Sequence, residues 1–196
     1  MKHNWQKMII LAGFMGALVG MSCLFDTRSA QPPGNNTGGG CTLGSPDKPF
    51  QCMKDAITNL QDADYERSLS DKFIFSPLPE DSLDQAFIGT DVYANWDKQR
   101  EMDVLRLLFS DAQQLAVDFT PTVLVNKNTF VRYRVPYTLA VVTKAAPTDT
   151  TRYKGVAEMY MQLENGNWRM TYWHEIESVP GYSTWGYLRG ILGLRI

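Results

Sequence analysis

Few side chains in this 196-residue chain have the chemistry to carry a reaction. Of its two histidines, His3 lies in the leading segment, and His174 is the one in the body. A histidine changes charge near neutral pH and suits a proton shuttle. Strict alternation along Trp168, Met170, Tyr172 and His174 points it inward from a strand. A bulge near Trp173 would exchange the two faces and present Glu175 instead. Asp64 and Tyr65 offer a carboxylate beside a phenol, although Asp64 reads equally well as a turn or helix cap. Glu66 with Glu101 or Asp97 would make an acid and base pair, but no spacing singles them out. Tyr133, Tyr137, Met159, Met161 and Tyr172 alternate toward one side of their strands. They would line a pocket for a flat apolar molecule or fill a core by themselves. The chain has no serine nucleophile motif, phosphate loop or metal-ligand cluster, so neither metal nor cofactor is expected.

The cysteines speak of location. Lys2 and Lys7 precede an uncharged apolar run from Met8 to Met21, then Ser22 and Cys23, the layout of a secretory signal. Val19-Gly20-Met21-Ser22-Cys23 resembles a bacterial lipoprotein box, with Gly20 where a branched aliphatic residue is usual. Three fates compete: cleavage before Cys23 with lipid on its sulfur, cleavage after Ala30, and an uncleaved anchor. Each exports everything beyond Cys23. Lipidation of Cys23 leaves Cys41 and Cys52 as an even pair in an oxidising compartment, and a disulfide between them is expected. Loss of the signal, with Lys2 and Lys7, takes the net charge from −2 to −4. No basic patch suited to nucleic acid is present.

The expected organisation is a signal over 1–22, a lipid-bearing cysteine and flexible tether over 23–44, and one domain over 45–196. The tether reading rests on Gln31-Pro32-Pro33-Gly34-Asn35-Asn36-Thr37-Gly38-Gly39-Gly40, which has almost nothing to bury. Ser45-Pro46-Asp47 reads as a helix start, and Phe50, Met53, Ile57 and Leu60 form its apolar stripe. Asp62 to Ser70 reads as a turn and second short helix, and Phe73-Ile74-Phe75 as a short strand. Asn95 or Asp97 caps a third helix, with Met102, Leu105, Leu108 and Phe109 buried. From Gln114 to Ile176 the apolar period is two, which predicts long antiparallel strands, with Glu164 to Asn167 as a hairpin connection. Helices followed by strands predict an α+β fold.

That order, with Phe73-Ile74-Phe75 after the helices and Asn165-Gly166-Asn167-Trp168-Arg169-Met170 followed by Trp173, resembles the NTF2-like, or SnoaL-like, superfamily over about Pro49 to Glu177. The resemblance implies a cone: a curved antiparallel sheet packed against N-terminal helices, with a pocket at its open end. It also implies frequent homodimers through the outer sheet face, onto which alternation puts Arg132, Arg134, Thr138, Thr171, Trp173 and Glu175. Such folds serve unrelated purposes, so the fold does not fix the function. The favoured expectation is a lipid-anchored, non-catalytic module of the bacterial envelope, on the outer membrane or periplasmic face, binding a ligand or supporting an assembly. Its expected partners are the membrane through lipid on Cys23, a second copy and an apolar small molecule. The alternative is an isomerase or dehydratase using His174, Asp64 or Tyr65 in the cone.

Overall fold

A computed structural model describes residues 40–196. The expected signal over 1–22, the expected lipid site at Cys23 and the expected tether as far as Gly39 lie outside the described residues. Among the described residues no helix is long and apolar enough to cross a membrane.

The elements are α1 (Lys48–Asn59), α2 (Asp62–Ser68), β1 (Leu69–Ser76), α3 (Pro79–Ser82), α4 (Lys98–Asp111), β2 (Ala112–Phe119), β3 (Thr122–Lys127), β4 (Phe130–Thr143), β5 (Ala146–Glu164), β6 (Asn167–Ser178) and α5 (Trp185–Gly193). Asp47 is the N-cap of α1, and Pro49, whose ring fixes a helical φ, stands in its first turn. Phe50, Met53, Ala56 and Ile57 are buried. Leu60 does not extend this stripe: it leaves the helix in the left-handed region at φ 55° and is 37% exposed. Asp97 begins α4, its side chain accepting a hydrogen bond from the Arg100 backbone N–H at 2.9 Å.

The strands form one six-stranded sheet in the order β1-β6-β5-β4-β2, with β3 also paired to β4. The sheet is mixed rather than antiparallel throughout, because β1 runs parallel to β6. No hairpin fixes the direction of β1; two helices and four strands intervene before its partner. Helices α1, α4 and α5 cover the inner face, and the core joins their apolar stripes to Val131, Val135, Leu139, Met159, Met161 and Met170.

One residue decides which side chains of β6 face that core. Met161 pairs with Met170 and Tyr160 with Tyr172, so Thr171 is an extra residue, a β-bulge. Beyond it the parity is reversed. Trp173 and Glu175 turn inward and are 0% exposed, whereas Tyr172 and His174 turn outward. The inward positions expected of Tyr172 and His174, and the outward positions expected of Trp173 and Glu175, are thereby corrected.

The stretch before α1 belongs to the folded body. Leu43 is buried and its carbonyl accepts the Trp168 backbone N–H at 2.8 Å. Cys41 and Cys52 form a disulfide with a Cα–Cα distance of 5.5 Å. Cross-linking a loop of this length stabilises a fold by about 3 kcal/mol in the chain-entropy picture. Reduction should therefore lower the unfolding free energy by about 2–3 kcal/mol, read as a lower urea midpoint with dithiothreitol than without.

Candidate functional site

The interior of the cone holds an ion cluster. Arg189 of α5 reaches the Glu101 carboxylate on α4 with both edges of its fork, Nη2 to Oε1 at 2.7 Å and Nε to Oε2 at 2.9 Å. Glu101 also accepts the Tyr65 hydroxyl at 2.7 Å and the Trp96 indole N–H at 2.9 Å. Its acceptor sites are thus filled. Arg189 is 1% exposed and Glu101 2%.

A second carboxylate lies beyond the guanidinium. Glu175 accepts the Tyr137 hydroxyl at 2.6 Å and the Trp173 indole N–H at 3.0 Å. Its Oε1 is 3.8 Å from Arg189 Nη1. The Tyr137 oxygen in turn accepts the Trp185 backbone N–H at 3.0 Å, tying the start of α5 to β4. Tyr137 pairs with Gly155 across β4 and β5, and a Cβ at Gly155 would collide with the phenol ring. Glycine there leaves the phenol room to reach Glu175. Three rings complete the cage: the Arg189 guanidinium carbon lies 4.1 Å from the Trp173 ring centre, 4.5 Å from Phe75 and 4.6 Å from Trp185.

The two carboxylates titrate in opposite directions. Burial alone would raise Glu101, but the charge and hydrogen bonds of Arg189, helped by Tyr65 and Trp96, hold it below its ordinary value. Burial pushes Glu175 from 4.5 up to about 7, because its hydrogen bonds and the more distant guanidinium offset only part of the desolvation. One buried guanidinium neutralises one carboxylate, and Glu101 has the better geometry. Burial, reinforced by the adjacent carboxylates, raises the Tyr65 and Tyr137 phenols well above their usual value, so both remain donors.

A carboxyl group near 7 beside a phenol has the makings of a general acid or base. Here Glu175 is 0% exposed, and among the described residues the guanidinium and the Trp173 and Trp185 rings pack the space around it. Surface clefts lie elsewhere, one beside Leu43, Arg67 and Arg169 and another beside Ser70, Gln162 and Glu164. Among the described residues no group of three or more His, Cys, Asp or Glu side chains is arranged to hold a metal ion.

Of the side chains singled out in the sequence, Tyr65, Tyr137, Glu101 and Glu175 meet in this cluster. Tyr133, Met159 and Met161 face the interior as core, Tyr133 packing edge-on against Phe50 at 5.2 Å. Asp64 stays outside the cone, 3.5 Å from Arg67 one helical turn on. Asp97 is spent on the α4 cap, and Glu66 lies near Arg106 on the surface. His174 and Tyr172 lie tilted against each other on the opposite face of the sheet, ring centres 5.8 Å apart. Sequence reasoning missed Arg189, yet a signal was present. Trp185, Leu188, Arg189 and Leu192 share one helical stripe, and an arginine among buried apolar residues requires an anion.

No protein-family model matches the chain, and no curated protein matches it. Solved structures do. A candidate scytalone dehydratase from Novosphingobium aromaticivorans superposes with a TM-score of 0.55 at 6% identity, over 68% of this chain and 81% of that one. A nuclear transport factor 2-like superfamily protein from Salmonella enterica gives 0.51 at 10% identity, over 68% and 88%. A candidate aromatic ring hydroxylase from N. aromaticivorans gives 0.53 at 11% identity, over 67% and 85%. At such identities the likeness is one of fold.

Glu101→Gln strands a buried guanidinium and should cost about 3–5 kcal/mol of unfolding free energy in urea titrations. Glu175 binds its proton more tightly folded than unfolded, so its contribution to stability is full below about 4.5 and is lost as pH rises through about 7. The wild-type urea midpoint should exceed its pH 8 value at pH 5 by more than that of Glu175→Gln does, because the variant lacks this term.

Proposed function

We propose that this domain of NTF2-like fold is a non-catalytic interaction module of the bacterial envelope, held to a membrane by lipid on Cys23 and pairing through the outer face of its sheet. The observation that carries the reading is the occupied cone. Among the described residues, and with α5 seated, both interior carboxylates are engaged by the chain's own side chains, which leaves neither a substrate nor an apolar small molecule a place beside them.

The outer face supports the second half of the reading. Ile74, Tyr172, Tyr160 and Arg132 occupy one row of paired positions across β1, β6, β5 and β4. The Tyr160 ring lies 5.1 Å from Tyr172 and 5.6 Å from Phe130. Ile74 is 54% exposed. Arg132 near Glu158 and Arg134 bonded to Glu177 border this row with both signs of charge. An aromatic strip bordered by mixed charge suits a self-complementary interface, in which each copy presents the same patch. The lipid part rests on the signal-like segment and on the even cysteine pair that remains in the body, a pairing suited to an exported domain.

The rival reading is an isomerase- or dehydratase-type enzyme. It draws on the proton affinity of Glu175 and on the fold shared with a candidate dehydratase. It requires an open volume at Glu175, which is 0% exposed.

Tyr160→Glu together with Tyr172→Glu should turn a sedimenting dimer into a monomer with an unchanged far-ultraviolet circular dichroism spectrum. A wild-type monomer at high concentration would sink the pairing. Cys23→Ala should move the protein from the membrane to the soluble fraction, or block its processing; an unchanged distribution would sink the lipid anchor.

A further inference from the structure

Arg189 is held the way a ligand is held. Closing a cone needs no charge, since a buried ion pair contributes little beyond an apolar filling of the same volume. Here two carboxylates and three ring faces are directed at a single guanidinium. The fit on the α5 stem is incomplete. Nη1 of Arg189 is buried without a hydrogen-bond partner, 3.8 Å from the nearer Glu175 oxygen. A guanidinium free of that stem would be released from the position that leaves Glu175 Oε1 3.8 Å away. Nε of Arg100, Arg132 and Arg169 is likewise buried without a partner, but of these four side chains only that of Arg189 lies in the core, at the centre of a built cage.

The occupant has little helix propensity of its own and is held by tertiary packing, with Trp185, Leu188 and Leu192 in the core. Helix α5 has nine residues, three of them the glycines Gly186, Gly190 and Gly193. Glycine is the poorest helix former after proline, and helices this short do not persist alone. The glycines let α5 press close, for a Cβ at Gly190 would overlap the Tyr93 hydroxyl and the Phe87 ring. Helicity in α5 therefore depends on its being seated. The connection from β6, residues 179–184, carries Pro180 and a left-handed Gly181, and α5 itself makes no strand pairing.

We propose that the cone is a binding site for a guanidinium cation, that Arg189 occupies it in cis, and that a small guanidinium-bearing molecule exchanges with Arg189 by unseating α5. The site is separate from the outer sheet face, and the proposal stands whether or not that face pairs.

Ethylguanidinium supplies the atoms that Arg189→Ala removes, and it is the probe for the full-length protein. In R189A it should raise the thermal midpoint saturably, while neutral ethylurea of the same shape and ethylammonium should not. A response no greater than that to ethylurea overturns the site. If R189A does not fold by itself, the readout is its refolding yield, which should rise with ethylguanidinium and not with ethylurea; equal yields overturn the site as well. Exchange is read in the wild-type protein by amide hydrogen exchange. Ethylguanidinium should speed exchange of the Leu188 to Leu192 amides about threefold or more while leaving those of Ala157 to Met161 unchanged, because α5 opens as a local unit. Unaltered protection of α5, or equal acceleration of both segments, overturns the exchange and makes Arg189 a fixed internal tie.

Discussion

A positive charge with almost no access to water must meet a negative one nearby, and the interior of this domain is arranged around that requirement. Isolated, a guanidinium at such depth is prohibitively unfavourable. The Glu101 carboxylate meets it bidentately, and Tyr65 and Trp96 saturate the lone pairs that remain. Those donors come from α2 and from the loop before α4, while the cation comes from α5. One ion pair thus ties three separated parts of the chain at a single point. Glu175 is the surplus acid of the arrangement, and its raised proton affinity is the consequence of burial that its hydrogen bonds and the more distant guanidinium only partly offset.

The Thr171 bulge is the second determinant. Without the extra residue, strict alternation would bury Tyr172 and His174 and expose Trp173 and Glu175. The cage would then lose one ring and one carboxylate, and the outer face would lose the middle of its aromatic row. A single inserted position serves both sides of the sheet at once, filling the inside with charge and rings and giving the outside its continuous apolar strip.

Much of the architecture was legible in the sequence because it rests on local periodicity. The inward set of β4 is spelled out by alternation from Val131 to Val141, and the α4 stripe by Met102, Leu105 and Leu108. What was not legible has a common cause. The β1–β6 pairing joins segments almost a hundred positions apart with no hairpin between them, and nothing local fixes its direction. A bulge near Trp173 was one of two readings of β6, but placing it at Thr171 needs cross-strand register, which alternation along one strand does not contain. The cluster is an intermediate case. Glu101 is spaced as a member of the α4 apolar stripe with Leu105 and Leu108, and Arg189 as a member of that of α5. Two opposite charges on two buried stripes are a pair waiting to be matched. Reading Glu101 only as a catalytic candidate hid its simpler role as the counterion of Arg189.

The 88 positions separating Glu101 from Arg189 have a consequence for how the molecule is finished. During synthesis the acid on α4 emerges long before its counterion, and contacts so far apart in the chain form late. Any product lacking α5 is left with an acidic hollow open to solvent, bordered by rings made to face a cation. Proteases that sample open states can tell such a product from a completed one. Helix α5 thereby reports on its own seating, through the one arginine it carries.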